Sequence, residues 1–255
     1  MIFPTFAVES PEQFIYLEAN ERHGDMGISR FKTGTADGVT KDIQEQLSHP
    51  LKDTARESSD RGYIGNINWE HALRLNLLLE RETPSIADFR EVLYRAWQGI
   101  HEGKEVYDCR GNQIAVSGLQ QFFSEVIEQR GPSRAELLAA EFKKENNQLF
   151  VAYQHRMQSG KLVPQKREIV APCLMQDKIP GISLEDWLSR ATPQGLPPAD
   201  AHTGQFYYWF PRAKSVARFW ADSGRVCLNC FAGRQYSGAA LGVRSMISAA
   251  GAQKF

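Results

Sequence analysis

Cys227 and Cys230 stand with two residues between them in RVCLNCF, the spacing of a zinc or redox pair. A structural zinc site wants a second close pair, yet Cys109 and Cys173 lie far apart in unrelated contexts. A redox pair wants the start of a helix, where a thiolate is stabilised. RVCLNCF instead alternates like a strand, with Val226, Leu228 and Cys230 toward one side and Arg225, Cys227, Asn229 and Phe231 toward the other. The pair therefore reads as a buried cysteine with a chance neighbour. His23, His49, His71, His101, His155 and His202 are scattered without ligand spacing. Glu185 and Asp186 are adjacent, so on a helix they diverge and complement its N-terminal dipole instead of forming an acid/base pair. No GxGxxG, GxxxxGK[ST], HExxH or GxSxG motif occurs. The expectation is a protein with no catalytic residue, no metal site and no cofactor.

Binding is the chemistry that remains. From Ser215 to Met246, strand-like ends frame a run that mixes Trp, Asp, Arg, Cys, Asn, Phe, Gln and Tyr. Trp, Tyr, Phe and Arg bury much area with few rotors and dominate binding hot spots. Asn and Ser add adaptable hydrogen bonds, as in antibody loops.

The elements around that run must come from 255 residues, enough for one large domain or two small ones. Thirty basic and thirty acidic side chains cancel. The longest basic cluster, PQKRE at 164–168, reads as a solvated hairpin edge, so no nucleic-acid footprint is expected. No stretch approaches the roughly 20 apolar residues of a membrane span. The N-terminus has no basic region and carries Pro4 and Glu9, the wrong pattern for a standard signal peptide; export by another route stays open.

Residues 1–83 read as an irregular and helical N-terminal region, with a helix at 10–20, loops at GTADGVTKD and SHPLKDTARESSDRGY, and a helix from Trp69 to Glu82. Residues 84–144 read as helical. Ile86, Phe89, Leu93, Ala96, Trp97 and Ile100 form one stripe, closed by Gly103. VYDCRGNQI is a short hairpin, and Ser117 opens a third helix. Ser133 and Glu136 form a capping box for a fourth helix at 134–144. Beyond Asn147, QLFVAYQHRM and KREIVAPCLM alternate around a Ser159–Gly160 turn. GISLEDWLSRA is a short helix with a Ser183/Asp186 box, and QFYYWFP is an aromatic strand. Helices first and strands later predict an α+β protein.

The tail YYWFPRAKSVARFWADSGRVCLNC…GAALGVRSM resembles the C-terminal segment of the variable proteins of diversity-generating retroelements. Ala217-Arg218-Phe219 and Leu241-Gly242-Val243-Arg244 match at the family's spacing, and CLMQDKIPGISLEDWLSRATPQGLPP resembles the region upstream. The similarity runs from about residue 145 to 250, more weakly over 84–144, and is not claimed for 1–83.

The resemblance implies a C-type lectin-like fold, related to that of the formylglycine-generating enzyme, over 145–255. In such proteins a reverse transcriptase copies a template with errors at adenines and rewrites a stretch of the gene, here about 216–246. It places Trp220, Asp222, Arg225, Cys227, Asn229, Phe231, Arg234 and Tyr236 on a displayed ligand-binding surface. Val226, Leu228, Cys230, Leu241 and Val243 are scaffold. An AAC codon altered only at its adenines cannot become TGG, so Trp220 is either a fixed anchor or encoded through another codon.

The implied function is non-enzymatic recognition of a protein or cell-surface ligand. Two alternatives stand beside it. One is a formylglycine-generating-like enzyme, which would need an acidic, exposed Cys227 or Cys230. The other is a phage or structural attachment protein with a fixed ligand.

Overall fold

The computed structural model describes residues 14–20, 22–33, 67–127, 134–222, 225–237 and 241–248. The expected loops at 34–42 and 48–63, and the Ser133 cap, lie outside these residues.

Four helices and ten strands make a mixed α+β fold among the described residues. In chain order they are β1 (Phe14–Leu17), β2 (Met26–Thr33), α1 (Trp69–Leu78), α2 (Ile86–His101), α3 (Val116–Ile127), β3 (Arg134–Glu145), β4 (Gln148–Gln158) and β5 (Lys161–Ile169). There follow β6 (Lys178–Ile182), α4 (Leu184–Arg190), β7 (Phe206–Trp209), β8 (Ser215–Asp222), β9 (Arg225–Ala232) and β10 (Leu241–Ser248). One sheet joins all ten strands in the order β1-β2-β10-β3-β8-β9-β7-β6, with the β4–β5 hairpin attached to β3.

Two expected helices are strands. Residues 14–17, within the helix expected at 10–20, form β1 and pair with β2. Arg134–Glu145, expected as the fourth helix, is β3, which pairs with β10, β4 and β8. The part read as helical over 84–144 therefore ends in a central strand. RAELLAAEFKKE is rich in helix formers, but a helix would bury only one stripe of it. As a strand it buries Leu138, Ala140 and Phe142 in one cluster and Ala135, Leu137 and Ala139 in another. Full burial of each Leu or Phe is worth roughly 1.5–3 kcal/mol, while helix propensities separate ordinary residues by less than about 1 kcal/mol each.

Other elements match their signals. Ser85 caps α2 in a full capping box with Asp88, and Gly103 just beyond adopts φ +69°. The Ser159–Gly160 turn has φ of 48° and 76° and joins β4 to β5, pairing Gln158 with Lys161. At α4 the Ser183 hydroxyl accepts from the Asp186 N–H, as expected. The Asp186 carboxylate, however, turns away and accepts from the His202 backbone N–H at 2.6 Å.

The sheet has two differently covered faces. Under α2, α3 and α4, residues Phe89, Leu93, Phe122 and Trp187 meet Leu138, Phe206, Tyr208, Phe219 and Leu228. The Trp187, Phe206 and Phe219 rings stack with centroids 4.7–6.0 Å apart. On the other face α1 packs over β3, β4 and β10, where Trp69, Ala72 and Leu73 meet Leu137, Ala139, Val216 and Val243. The Trp69 indole N–H donates to the Leu138 carbonyl at 2.8 Å. No helix among the described residues is long and apolar enough to cross a membrane.

Arg244, in the LGVR tetrapeptide, is the largest buried charged side chain among the described residues. Its guanidinium donates to both carboxylate oxygens of Glu136, at 3.0 and 2.8 Å, with the two side chains only 2% and 3% exposed. Its backbone carbonyl accepts from the Asn76 side chain of α1 at 3.0 Å. One residue thus fastens β10 to β3 and to α1.

Candidate functional site

On the face that carries α1, strands β7, β8 and β9 continue beyond the helix. Their register fixes what they show there. Trp220 of β8 lies opposite Cys227 of β9, which lies opposite Tyr207 of β7; in the next row Arg218, Asn229 and Trp209 align. Directly opposed residues share a face, so five side chains from three strands form one surface over the smaller Cys227. Tyr207, Trp209, Arg218, Trp220 and Asn229 are partly buried, and Arg225 is exposed. Trp209 and Trp220 stack with centroids 6.2 Å apart, and Tyr207 meets Trp209 edge-on at 6.3 Å.

Two exposed aromatics rim this surface, each held by an arginine. Phe231 is 47% exposed and Tyr236 56%. The Arg212 guanidinium lies 4.1 Å from the Phe231 ring centre and 4.7 Å from that of Phe210, while Arg218 lies 4.7 Å from that of Tyr236. Arg212 is itself fixed by Asp177 at 2.7 Å.

Of the expected displayed residues, Trp220, Arg225, Asn229, Phe231 and Tyr236 come together here. Trp220 also packs against the α1 cluster. Arg234 is held in place: it reaches Glu141 at 3.1 Å and Glu70 at 3.4 Å, and lies over Trp69 at 5.1 Å. It clasps the loop after β9 to α1 and β3. Asp222 pairs with Arg225 at the end of the β8–β9 ladder, and its side chain lies outside the described residues.

Cys227 is not displayed. It is 0% exposed, because a short thiol flanked in register by Trp220 and Tyr207 is overlain by its large neighbours. Burial pushes its pKa up, against the opposing pull of Arg218 and of the Trp220 indole beside it. That indole N–H makes no complete hydrogen bond. The scaffold residues Leu228, Cys230 and Val243 are buried as expected and Val226 is partly buried; the Leu241 side chain lies outside the described residues. Burial raises the Cys230 thiol well above its usual range, and lifts Cys109 to about 12 and Cys173 to about 11. Neither Cys227 nor Cys230 is an acidic, exposed nucleophile.

Tyr207, Trp209, Arg212 and Arg218 are members that sequence reasoning did not assign. Alternation in QFYYWFP separates Tyr207 and Trp209 from Phe206 and Tyr208, but not which pair faces outward. That depends on the parallel pairing of β7 with β9, which no local pattern encodes. Among the described residues no group of three or more His, Cys, Asp and Glu is arranged to hold a metal ion. No protein-family model, curated protein or solved structure matches the chain.

Proposed function

We propose that the protein recognises a macromolecular ligand through the β7–β8–β9 face, without catalysis, and that this face is diversified by a retroelement reverse transcriptase. The observation that carries the reading is a sheet surface of Trp, Tyr, Phe, Arg and Asn. It extends beyond α1, which reaches only its Trp220 edge, and is backed from beneath by the Trp187–Phe206–Phe219 stack. Strand-borne aromatics lose little freedom on binding, so contact area converts to affinity with a small entropic penalty.

The finer fold assignment belongs to the same reading. The frame is C-type lectin-like, with β8 and β10 as the regular ends and β9 with its following loop as the variable middle. Burial of both tail cysteines with raised pKa values favours binding over a thiol enzyme.

The test is genetic and positional. The flanking locus should hold a reverse transcriptase gene and a near-copy of codons 216–246 differing almost only at adenines. Those differences should fall at Arg225, Asn229, Phe231 and Tyr236 and spare Arg218, Leu228, Cys230 and Val243. Substitutions spread evenly over buried and exposed codons would sink diversification. Absence of the gene and the near-copy would leave a binder or attachment protein with a fixed ligand on the same face.

A further inference from the structure

The recognition face has a charge imbalance that defines its occupant. Arginines and carboxylates elsewhere on this side of the sheet are matched: Arg212 with Asp177, and Arg234 with Glu141 and Glu70. Arg218 and Arg225 form no ion pair among the described residues, and Asp222, the one acid opposite them in register, pairs with Arg225 and not Arg218. They stand on adjacent strands, beside the Trp209–Trp220 stack. Arg218 is oriented by Tyr236, so part of the entropy of holding a guanidinium ready is already lost in the free protein.

We infer that the face takes an acidic protein segment, one that presents Asp or Glu side chains to Arg218 and Arg225 beside an apolar or aromatic residue seated on the tryptophan stack. The inference rests on the recognition reading above and gives its ligand a chemical class. A planar guanidinium accepts a carboxylate in two-point geometry, and removal of the pair from water at the edge of an aromatic stack strengthens it.

A second copy of this chain is a poor occupant. A two-fold contact opposes the same patch to itself, setting Arg218 and Arg225 against their own counterparts, a like-charge penalty. Single-stranded nucleic acid would use both arginine and aromatic stacking, but it needs a cationic track along its backbone. Here two arginines, without an ion pair among the described residues, sit on a chain whose formal net charge is zero.

The experiment uses the full chain and three labelled synthetic peptides of equal length: alternating Glu and Tyr, alternating Gln and Tyr, and alternating Lys and Tyr, with an oligo-thymidine as a fourth probe. Fluorescence anisotropy is read at low and high salt for the wild type, for Arg225→Gln, for Arg218→Gln/Arg225→Gln and for Phe231→Ala. The Glu–Tyr peptide should bind best, weaken as salt rises, and weaken by about tenfold in the double variant. Thermal melts of each variant separate lost contacts from lost folding, and the exposed Arg225→Gln gives a second readout without disturbing packing.

Equal binding of the Gln–Tyr peptide, insensitive to the arginine variants but lost in Phe231→Ala, overturns the acidic partner and leaves the recognition face standing. Preference for the Lys–Tyr peptide or for oligo-thymidine overturns it as well. Binding of none of the probes overturns the inference, and the recognition reading then rests on the codon test alone.

Discussion

Arg244 shows how much a single residue can determine. Its guanidinium and Glu136 are both nearly sealed from water and joined by two hydrogen bonds. Replacing Glu136 with Gln leaves the arginine buried without its counter-charge, and such a loss costs about 3–5 kcal/mol. Chemical denaturation should therefore show Glu136→Gln far less stable than the wild type. The paired change Glu136→Leu/Arg244→Met should regain much of the loss, because an apolar pair escapes the desolvation penalty. If Glu136→Gln matched the wild type, the pair would not be what fastens β10 to β3. Arg244 was visible in the sequence as part of a motif. Its partner, 108 residues away, was legible only as the supposed helix-capping Glu136.

At the scale of elements, the connection between β1 and β2 is tied to the start of α2 by a titratable link. His23 Nε2 lies 3.3 Å from Asp88, whose other oxygen receives the Ser85 backbone N–H and hydroxyl. The hydrogen bond to Asp88 raises the His23 pKa above its ordinary 6.5, despite opposing desolvation. Burial pushes the Asp88 carboxyl up, but bonds from His23 and Ser85 outweigh it and leave it below its ordinary 3.8. A raised histidine stabilises fully below its unfolded value and loses its effect as pH rises through the folded one; a lowered carboxylate stabilises above its unfolded value and loses its effect as pH falls. The link is therefore strongest between about pH 4 and 6.5. Melting temperatures of wild type and His23→Gln should differ most in that window and converge above it; a constant gap would show that His23 acts through packing alone. His23 offered no such signal in the sequence, where it was one of six scattered histidines. The Ser85 start signal was plain, because a cap is a local interaction.

For the whole molecule, the sheet decides which chemistry reaches solvent. All four cysteines are buried and unpaired by disulfides. Cys227 and Cys230 should resist alkylation in mildly alkaline buffer while the protein is folded, and react at once in denaturant, as read by mass spectrometry. Rapid native labelling of Cys227 would reopen the thiol-enzyme alternative. Truncation of the displayed aromatics should act the other way: Phe231→Ala, at a 47% exposed position, should shift stability by no more than about 0.5 kcal/mol while abolishing capture of a ligand selected on the wild type. Loss of fold in that variant would make Phe231 a packing residue.

The sequence by itself determined what is local. Alternation marked β8, β9 and β10, an Ser–Gly turn marked the β4–β5 hairpin, and a capped stripe marked α2. The same local rules misjudged β3, whose helix-forming residues are overruled by partners far along the chain, and Cys227, whose outward side is closed by neighbours on two other strands. Only the tertiary structure decided that β7 lies beside β9, that Arg234 is a clasp, and that Arg218 and Arg225 share an aromatic face. The physical reason is one of range. Turns, caps and periodicity come from interactions within a few residues, while burial, register between distant strands and charge balance come from contacts that the linear pattern does not contain.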